Sequence, residues 1–326
     1  MKEESLLSEQ SIGLLIDALN DWDYEVRLTA IETLSKIGEP TILPLIAALK
    51  EESRDRRGQG IIYALSKLGK PAVLPLMALL EDEDEYVRGS AVTALGYIGD
   101  SRAVEPIIEL LQDKADGVRL WSADALGRLG DEWAILPLIN ILNDKGNYVS
   151  IHVVEALVKF GENALLPLVN ALENRANDES LRGAAIYALG KLGERRVFEL
   201  LVNTLVNLNE SSEVRHSAAL ALGKLGDPRG FGPLVEALHA ENSEVRISAV
   251  VAIGWLGDKR ATEPLIKALN EEENPWVRAW IAATLGVLGT TKALPSLLQR
   301  EHFFEDEANN AVKISASSAI KQRPAC

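Results

Sequence analysis

The chain has 326 residues, a formal net charge of −14 and a charged fraction of 25%. That acidity repels nucleic acid and anionic membrane surfaces and favours a basic or neutral partner. The lone cysteine, Cys326 at the last position, excludes an internal disulfide or a multi-cysteine metal site. The opening MKEESLLSEQ lacks the basic and apolar parts of a signal peptide, and no apolar run approaches transmembrane length, so a soluble, cytoplasmic chain is expected.

In chain order, residues 5–20 read as a first amphipathic helix with Leu7, Ile12, Leu15, Ile16 and Leu19 on its apolar face. A second helix follows over 26–38, and residues 41–49 open the next pair. The segment EESRDRRGQGIIYALSKLG then departs from pattern, with Arg57 and Gly58 where valine and arginine stand elsewhere. Residues 85–112 give the clearest copy of the unit. There Val87, Ala91, Leu95 and Ile98 line one helical face, Gly99 suits a left-handed helix end, and Asp100 or Ser101 can cap the helix carrying Val104, Ile107, Ile108 and Leu111. Copies continue at Val118, at Val149 with Ser150 in place of arginine, and at Leu181, Val214, Val245 and Val277. Polar stretches ENRANDES and NLNESSE lengthen two connections. After QREHFFEDEANN, residues 312–320 read as a last helix, and QRPAC as a disordered tail.

The loop glycines Gly38, Gly69, Gly99, Gly130, Gly161, Gly193, Gly226, Gly257 and Gly289 are spaced by 31, 30, 31, 31, 32, 33, 31 and 32 residues. Two short amphipathic helices cannot bury their apolar faces alone, so neighbouring copies must stack. The expected fold is all-α, an α-α superhelix (a solenoid of about ten two-helix repeats) in a single domain. Residues 1–38 would form the N-terminal capping repeat, 39–289 the regular repeats, 290–320 the C-terminal capping repeat and 321–326 the disordered tail.

The copies VRLWSADALGRLGDEWAILPLI from Val118, VRHSAALALGKLGDPRGFGPLV from Val214 and VRISAVVAIGWLGDKRATEPLI from Val245 resemble the HEAT-like repeats of phycobilisome lyases. The resemblance runs along almost the whole chain. It implies a HEAT or armadillo-like solenoid whose second helices line a concave groove, and, as in some members, a bilin lyase or a phycobiliprotein chaperone or degradation factor. The groove would then hold a phycobiliprotein, a tetrapyrrole or a related lyase subunit. Two-subunit lyases crowd aromatics after the VR pair, whereas this chain has only WSADALG and WIAATLG there.

Two basic rows invite a structural reading. Arg27, Arg88, Arg119, Arg182, Arg215, Arg246 and Arg278 open second helices near Glu25, Glu85, Glu213 and Glu244, as a ladder tying neighbours together would. Lys36, Lys67, Arg128, Lys159, Lys191 and Lys224 complement helix C-termini. The groove offsets instead collect Tyr63, Tyr97, Trp121, Tyr148, Tyr187, Trp255, Trp276 and Trp280, with Asp124, Glu155, His152 and His216 beside them. Aromatics in such a groove supply contact area for a protein or ligand. Trp276 and Trp280, one turn apart and near Trp255, form the densest aromatic patch in the sequence.

The His-Glu pairs of HEAT-like iron hydroxylases are missing: Val153, Ser217, Ala240 and Phe303 follow the four histidines. No phosphate-cradling loop, zinc motif or nucleophile elbow appears. The sequence therefore leads to a non-catalytic protein-binding scaffold with no metal or cofactor, bound to another protein and to neither nucleic acid nor membrane. A bilin lyase or phycobiliprotein chaperone is the second reading.

Overall fold

The computed structural model describes residues 9–51, 56–146 and 148–289. The expected C-terminal repeat, last helix, tail and Cys326 lie outside the described residues, as do Ser5 to Ser8 of the expected first helix. The described residues form eighteen α-helices and no strand. Contacts divide the chain into two compact units, Met1–Ala164 and Leu165–Cys326.

In the first unit, α1 (Glu9–Asp17), α3 (Ile42–Glu51), α5 (Val73–Met77), α7 (Val104–Glu109) and α9 (Ile135–Asn140) are the first helices of successive repeats. Each is followed by a second helix: α2 (Tyr24–Ile37), α4 (Arg56–Leu68), α6 (Glu85–Ile98), α8 (Asp116–Leu129) and α10 (Val149–Lys159), and these second helices pack side by side in order. Next in the chain is α11 (Glu162–Glu173). The second unit repeats the arrangement with α12 (Glu179–Leu192), α14 (Ser212–Leu225), α16 (Ser243–Leu256) and α18 (Pro275–Val287) in a row, and α13 (Phe198–Val206), α15 (Phe231–Ala237) and α17 (Thr262–Glu271) as first helices. The expected first helix is shorter than the periodicity implied: α1 stops at Asp17 and a 3-10 turn, Ala18–Asn20, completes it.

The sequence period becomes a core period. Four residues before each loop glycine stands Leu34, Leu65, Leu95, Leu126 or Leu157 in the first unit and Leu189, Leu222, Ile253 or Leu285 in the second, all fully buried. Each such side chain contributes about 1.5–3 kcal/mol by leaving water. Three residues before the loop glycine the ALG motif places a second glycine, and its reason is distance. A Cβ on Gly96 would lie 2.9 Å from the Ala125 Cα, and one on Gly190 would lie 2.7 Å from the Ala221 Cα. Neighbouring second helices touch backbone to backbone there, which any side chain would prevent.

The loop glycine itself ends the helix. Gly99 sits at φ 74°, ψ 24°, the left-handed conformation expected of it, and Asp100 accepts from the Arg102 N–H at 3.0 Å to start the next turn. Gly38 and Gly69 differ, with ψ near the opposite sign at −144° and −138°. In those two repeats Glu39-Pro40 and Lys70-Pro71 follow, with no aspartate cap.

Arg88, Arg119 and Arg246 form rungs of the expected ladder, but not with the acids named from sequence, while the hydrogen bonds of Arg27 and Arg215 go to backbone carbonyls. Arg88 donates from Nε and Nη2 to both oxygens of Asp113, 2.8 Å each, and from Nη1 to the carbonyls of Asp82 and Glu83. Arg119 repeats this with Asp144 at 2.7 and 2.9 Å, and Arg246 with Glu272 at 2.8 and 2.9 Å. Glu25, Glu85, Glu213 and Glu244 sit in the first turn of the arginine's own helix, whereas the partner carboxylate belongs to the loop one repeat on. That carboxylate also takes a loop N–H, from Ala115 for Asp113 and from Gly146 for Asp144. Each rung therefore fixes two interhelix loops at once. Burial works against the Asp113 carboxylate, yet the Arg88 hydrogen bonds hold its pKa below the ordinary value; for Asp144 the Arg119 hydrogen bonds are the leading cause of the same shift.

Candidate functional site

In the first unit the second helices carry a hollow of about 420 Å³ across α4, α6 and α8. Helical spacing positions its walls. Tyr86, Ser90, Thr93 and Tyr97 follow one another at steps of three and four along α6, so they share a face turned away from the buried Leu95. Tyr63 of α4 stacks on Tyr97 with ring centroids 5.6 Å apart and 30° between planes, and Tyr86 meets Trp121 of α8 at 6.3 Å. Hydrogen bonding to Tyr97 raises the Tyr63 pKa.

Trp121 can lie across α6 because Gly89 has no side chain: a Cβ there would fall 1.9 Å from the indole. Asp124, three residues on from Trp121, faces the hollow and accepts a hydrogen bond at 3.0 Å from His152 Nδ1 of α10. Arg128 closes the rim, its guanidinium 4.7 Å over the Tyr97 ring. Ser90 is only 7% exposed, and among the described residues its hydroxyl has no hydrogen-bond partner. A second hollow of about 510 Å³ lies between α2 and α4, walled by Tyr24, Leu28, Ile31 and Lys67, and shares Tyr63 and Gln59 with the first.

The twelve residues picked out from sequence thus fall into groups. Tyr63, Tyr97, Trp121 and Asp124 line one hollow, and His152 joins it through Asp124. Glu155 on α10 and Tyr148 just before it are exposed outside that hollow. Tyr148 is the single non-glycine with positive φ among the described residues, at 64°, and stands at the helix start without a side-chain cap. In the second unit Tyr187 and Trp255 hold Lys224 between them, the ammonium 4.8 and 5.1 Å from the two rings. His216 Nδ1 lies 2.6 Å from the Ser248 hydroxyl. Trp276 and Trp280 are 58% and 46% exposed on α18, and among the described residues no ring contact joins either to Trp255.

Sequence reading placed Ser90 on the groove stripe with Tyr86, Thr93 and Tyr97, but it missed Gln59 and Gly89 and assigned Arg128 and Lys224 only to helix ends. A signal for the first group was present: Gly89 stands one position before Ser90, and the next repeat answers it with a tryptophan. The cations gained a second role because the aromatic residues stand one repeat away at nearly the same offset.

The chemistry offered is recognition. Asp124 orients His152, but among the described residues no hydroxyl or thiol hydrogen-bonds to the far ring nitrogen, as a nucleophile awaiting a base would. Ser248, beside His216, is 2% exposed and out of reach of a substrate. Among the described residues no three His, Cys, Asp or Glu side chains are grouped to hold a metal ion.

The model of HEAT repeats matches residues 12–78, 73–158, 165–238 and 231–321. The chain belongs to the HEAT-repeat family. This HEAT-repeat chain is similar in structure to karyopherin Kap121p bound to the SUMO protease Ulp1p, with TM-score 0.66 and 13% identity over 99% of this chain and 42% of that one. Kap121p bound to Pho4p gives 0.66 at 14% identity, over 99% and 42%. This chain spans less than half the length of those karyopherins, and the likeness establishes the all-α superhelical solenoid fold alone. The complex of CpcE and CpcF of phycocyanin lyase from Nostoc sp. PCC7120 is matched at 21% identity and TM-score 0.42, over 47% of this chain and 99% of that one. No curated protein matches in sequence. Among the described residues no helix is long and apolar enough to cross a membrane.

Proposed function

We propose that this HEAT-repeat chain is a non-catalytic scaffold that docks another protein on its second-helix faces. The observation that carries the reading is the outward placement of aromatic rings on those helices: Tyr63, Tyr97, Trp255, Trp276 and Trp280 are each more than 40% exposed although the same helices bury every leucine of the core row. Exposed large rings on a rigid frame are what an interface uses as anchors. Docking requires only this surface, while catalysis through either histidine would also need an accessible nucleophile beside it, which among the described residues neither has. The partner is a basic or neutral protein, given the net charge of −14, met in the cytoplasm. The test is co-purification with tagged chain from the native host. Wild type retains a stoichiometric partner, and a variant with Tyr63, Trp276 and Trp280 changed to alanine loses it while keeping its helical circular dichroism. Equal recovery by both proteins refutes docking on these rings.

A second reading has one specific support, the carboxylate of Asp124 set among the aromatic walls of the first hollow. There a tetrapyrrole or its phycobiliprotein acceptor would bind, as the resemblance to phycobilisome lyases implies. Mixing the protein with a bilin and an apo-phycobiliprotein decides it. Thioether formation that depends on this chain and is lost in Asp124→Asn favours the lyase, and an unchanged rate removes it.

A further inference from the structure

The hollow of the first unit carries a more specific chemistry than contact area. Tyr63, Tyr86, Tyr97 and Trp121 surround it, and Asp124 and Ser90 point acceptor oxygens among them. Only Asp124 Oδ1 is engaged, by His152; Oδ2 and the Ser90 hydroxyl have no partner among the described residues. The Ser90 hydroxyl and the free oxygen of Asp124 both line the hollow, so together they offer acceptors to a donor-rich group that enters it.

The rings add a second requirement. An aromatic face attracts a cation, and attracts it more strongly when water is excluded. The protein demonstrates this in each unit: its own Arg128 guanidinium covers Tyr97 in the first, and in the second Lys224 is held between Tyr187 and Trp255. A group that is planar, cationic and rich in N–H donors satisfies rings, carboxylate and hydroxyl together, and the guanidinium is the side chain with that description.

We infer that the hollow between α4, α6 and α8 is a receptor for one arginine side chain of a basic peptide segment. Its guanidinium stacks against the Trp121 and Tyr63 rings and donates to Asp124 Oδ2 and Ser90 Oγ. The inference rests on the docking reading and names the chemistry of the docked segment. Arg128 on the rim limits the affinity by charge repulsion, so its removal should strengthen binding.

The six tryptophans give six indole N–H signals in a proton–nitrogen spectrum, and Trp121→Phe assigns the one that matters. The probe is the capped pentapeptide Gly-Gly-Arg-Gly-Gly, with its citrulline counterpart as a neutral shape-matched control. The expected result is a saturable shift of the Trp121 indole with the arginine peptide, at least ten-fold weaker apparent affinity in Asp124→Asn, and tighter binding in Arg128→Gln. The free guanidinium ion as a separate titrant tells recognition of the group from recognition of the peptide. A Trp121 signal that stays still, that responds equally to citrulline, or that responds equally in Asp124→Asn overturns the arginine receptor. None of those outcomes touches the co-purification test, so failure of the receptor and failure of docking are read separately.

Discussion

The second helices of the first unit and those of the second bury the same rows and differ in what they turn outward. Six residues before the loop glycine, the first unit carries Glu32, Tyr63, Thr93, Asp124 and Glu155, and the second carries Tyr187, Leu220, Val251 and Ala283. Ten residues before it, Gly89 of the first unit is covered by a tryptophan, whereas Gly183 of the second faces Ser217, whose Oγ would lie 3.0 Å from an added Cβ. One repeat frame therefore supports two surfaces, a polar aromatic hollow in one unit and a smoother aliphatic face with exposed tryptophans in the other. Core rows are constrained by packing and outer rows are not, so variation along the outer rows is where function is written.

The largest effect should come from the ladder. The Arg88 and Asp113 side chains are nearly enclosed, so Arg88→Ala leaves a buried carboxylate without its partner and should cost about 3–5 kcal/mol, read by urea unfolding. Arg215 of the second unit donates from Nε to the Leu205 carbonyl at 2.8 Å and is half-buried, and Arg215→Ala should cost about 1 kcal/mol. Equal losses would show that the carboxylate adds nothing to a rung beyond what a loop carbonyl supplies. The rung also sets a pH dependence. Asp113 and Asp144 have folded pKa values below their unfolded ones, so their contribution is complete above about pH 4 and is lost as pH falls through the lowered folded values. Asp113→Asn should flatten that acid limb.

How far the sequence foretold this structure follows from which residues repeat. The glycine period and the core row four residues before each loop glycine recur in every described copy and were readable at once, as were caps such as Asp100 where they occur, because each is demanded by local geometry that a single helix pair already poses. The arginine row was readable but its partners were not: the acid lies 25 or 26 residues on for Arg88, Arg119 and Arg246, in a loop of the next repeat, and proximity along the chain pointed to the wrong glutamates. The hollow was half readable. Its tyrosines and Asp124 stood out by offset, but the role of Gly89 and Ser90 depends on where Trp121 lies, a fact of packing between repeats that no single copy contains. Of the aromatic patch expected from Trp255, Trp276 and Trp280, Trp255 is engaged by Lys224, and among the described residues no ring contact joins it to the exposed pair on α18.

The glycine pair gives the next test of the difference between the units. Gly89→Ala must displace Trp121 and should destabilise by about 1–3 kcal/mol, with a change in tryptophan emission as the ring is pushed from α6. Gly183→Ala meets only the end of a serine side chain and gains helix propensity of up to about 1 kcal/mol, so it should be neutral or mildly stabilising. The same substitution at the same offset would then have opposite signs, and a loss at both positions would erase the distinction.

The tryptophans of α18 should affect binding and leave folding alone. Trp280→Ala and Trp276→Ala each remove a ring more than 40% exposed, so melting temperature should move little while partner affinity falls by about 2 kcal/mol if the ring is an anchor. Titration of the purified partner against each variant, beside a thermal melt, separates the two roles. A lowered melting temperature with normal affinity would turn these rings into packing between repeats and leave the first unit as the sole docking face.

The smallest effect lies at Ser122, next to the tryptophan that builds the hollow. It stands eight residues before Gly130, a core position filled by Ala91 in the preceding repeat and by Ala185, Ala218 and Ala249 in the second unit. Its hydroxyl is fully buried and has no hydrogen-bond partner among the described residues. Removing an unsatisfied buried hydroxyl relieves a desolvation cost, and the cavity left by one oxygen is small, so Ser122→Ala should stabilise by about 1 kcal/mol. If the variant is instead less stable, the hydroxyl has a partner in solution, and the natural one is water reaching it from the hollow beside Trp121. Such water would make the polar floor of the first unit deeper than Ser90 alone, a difference from the second unit that Ala185, Ala218 and Ala249 cannot match. Unfolding of the single variant and of Ser122→Ala combined with Gly89→Ala distinguishes the cases, because a shared water couples the two sites and an isolated hydroxyl leaves them additive.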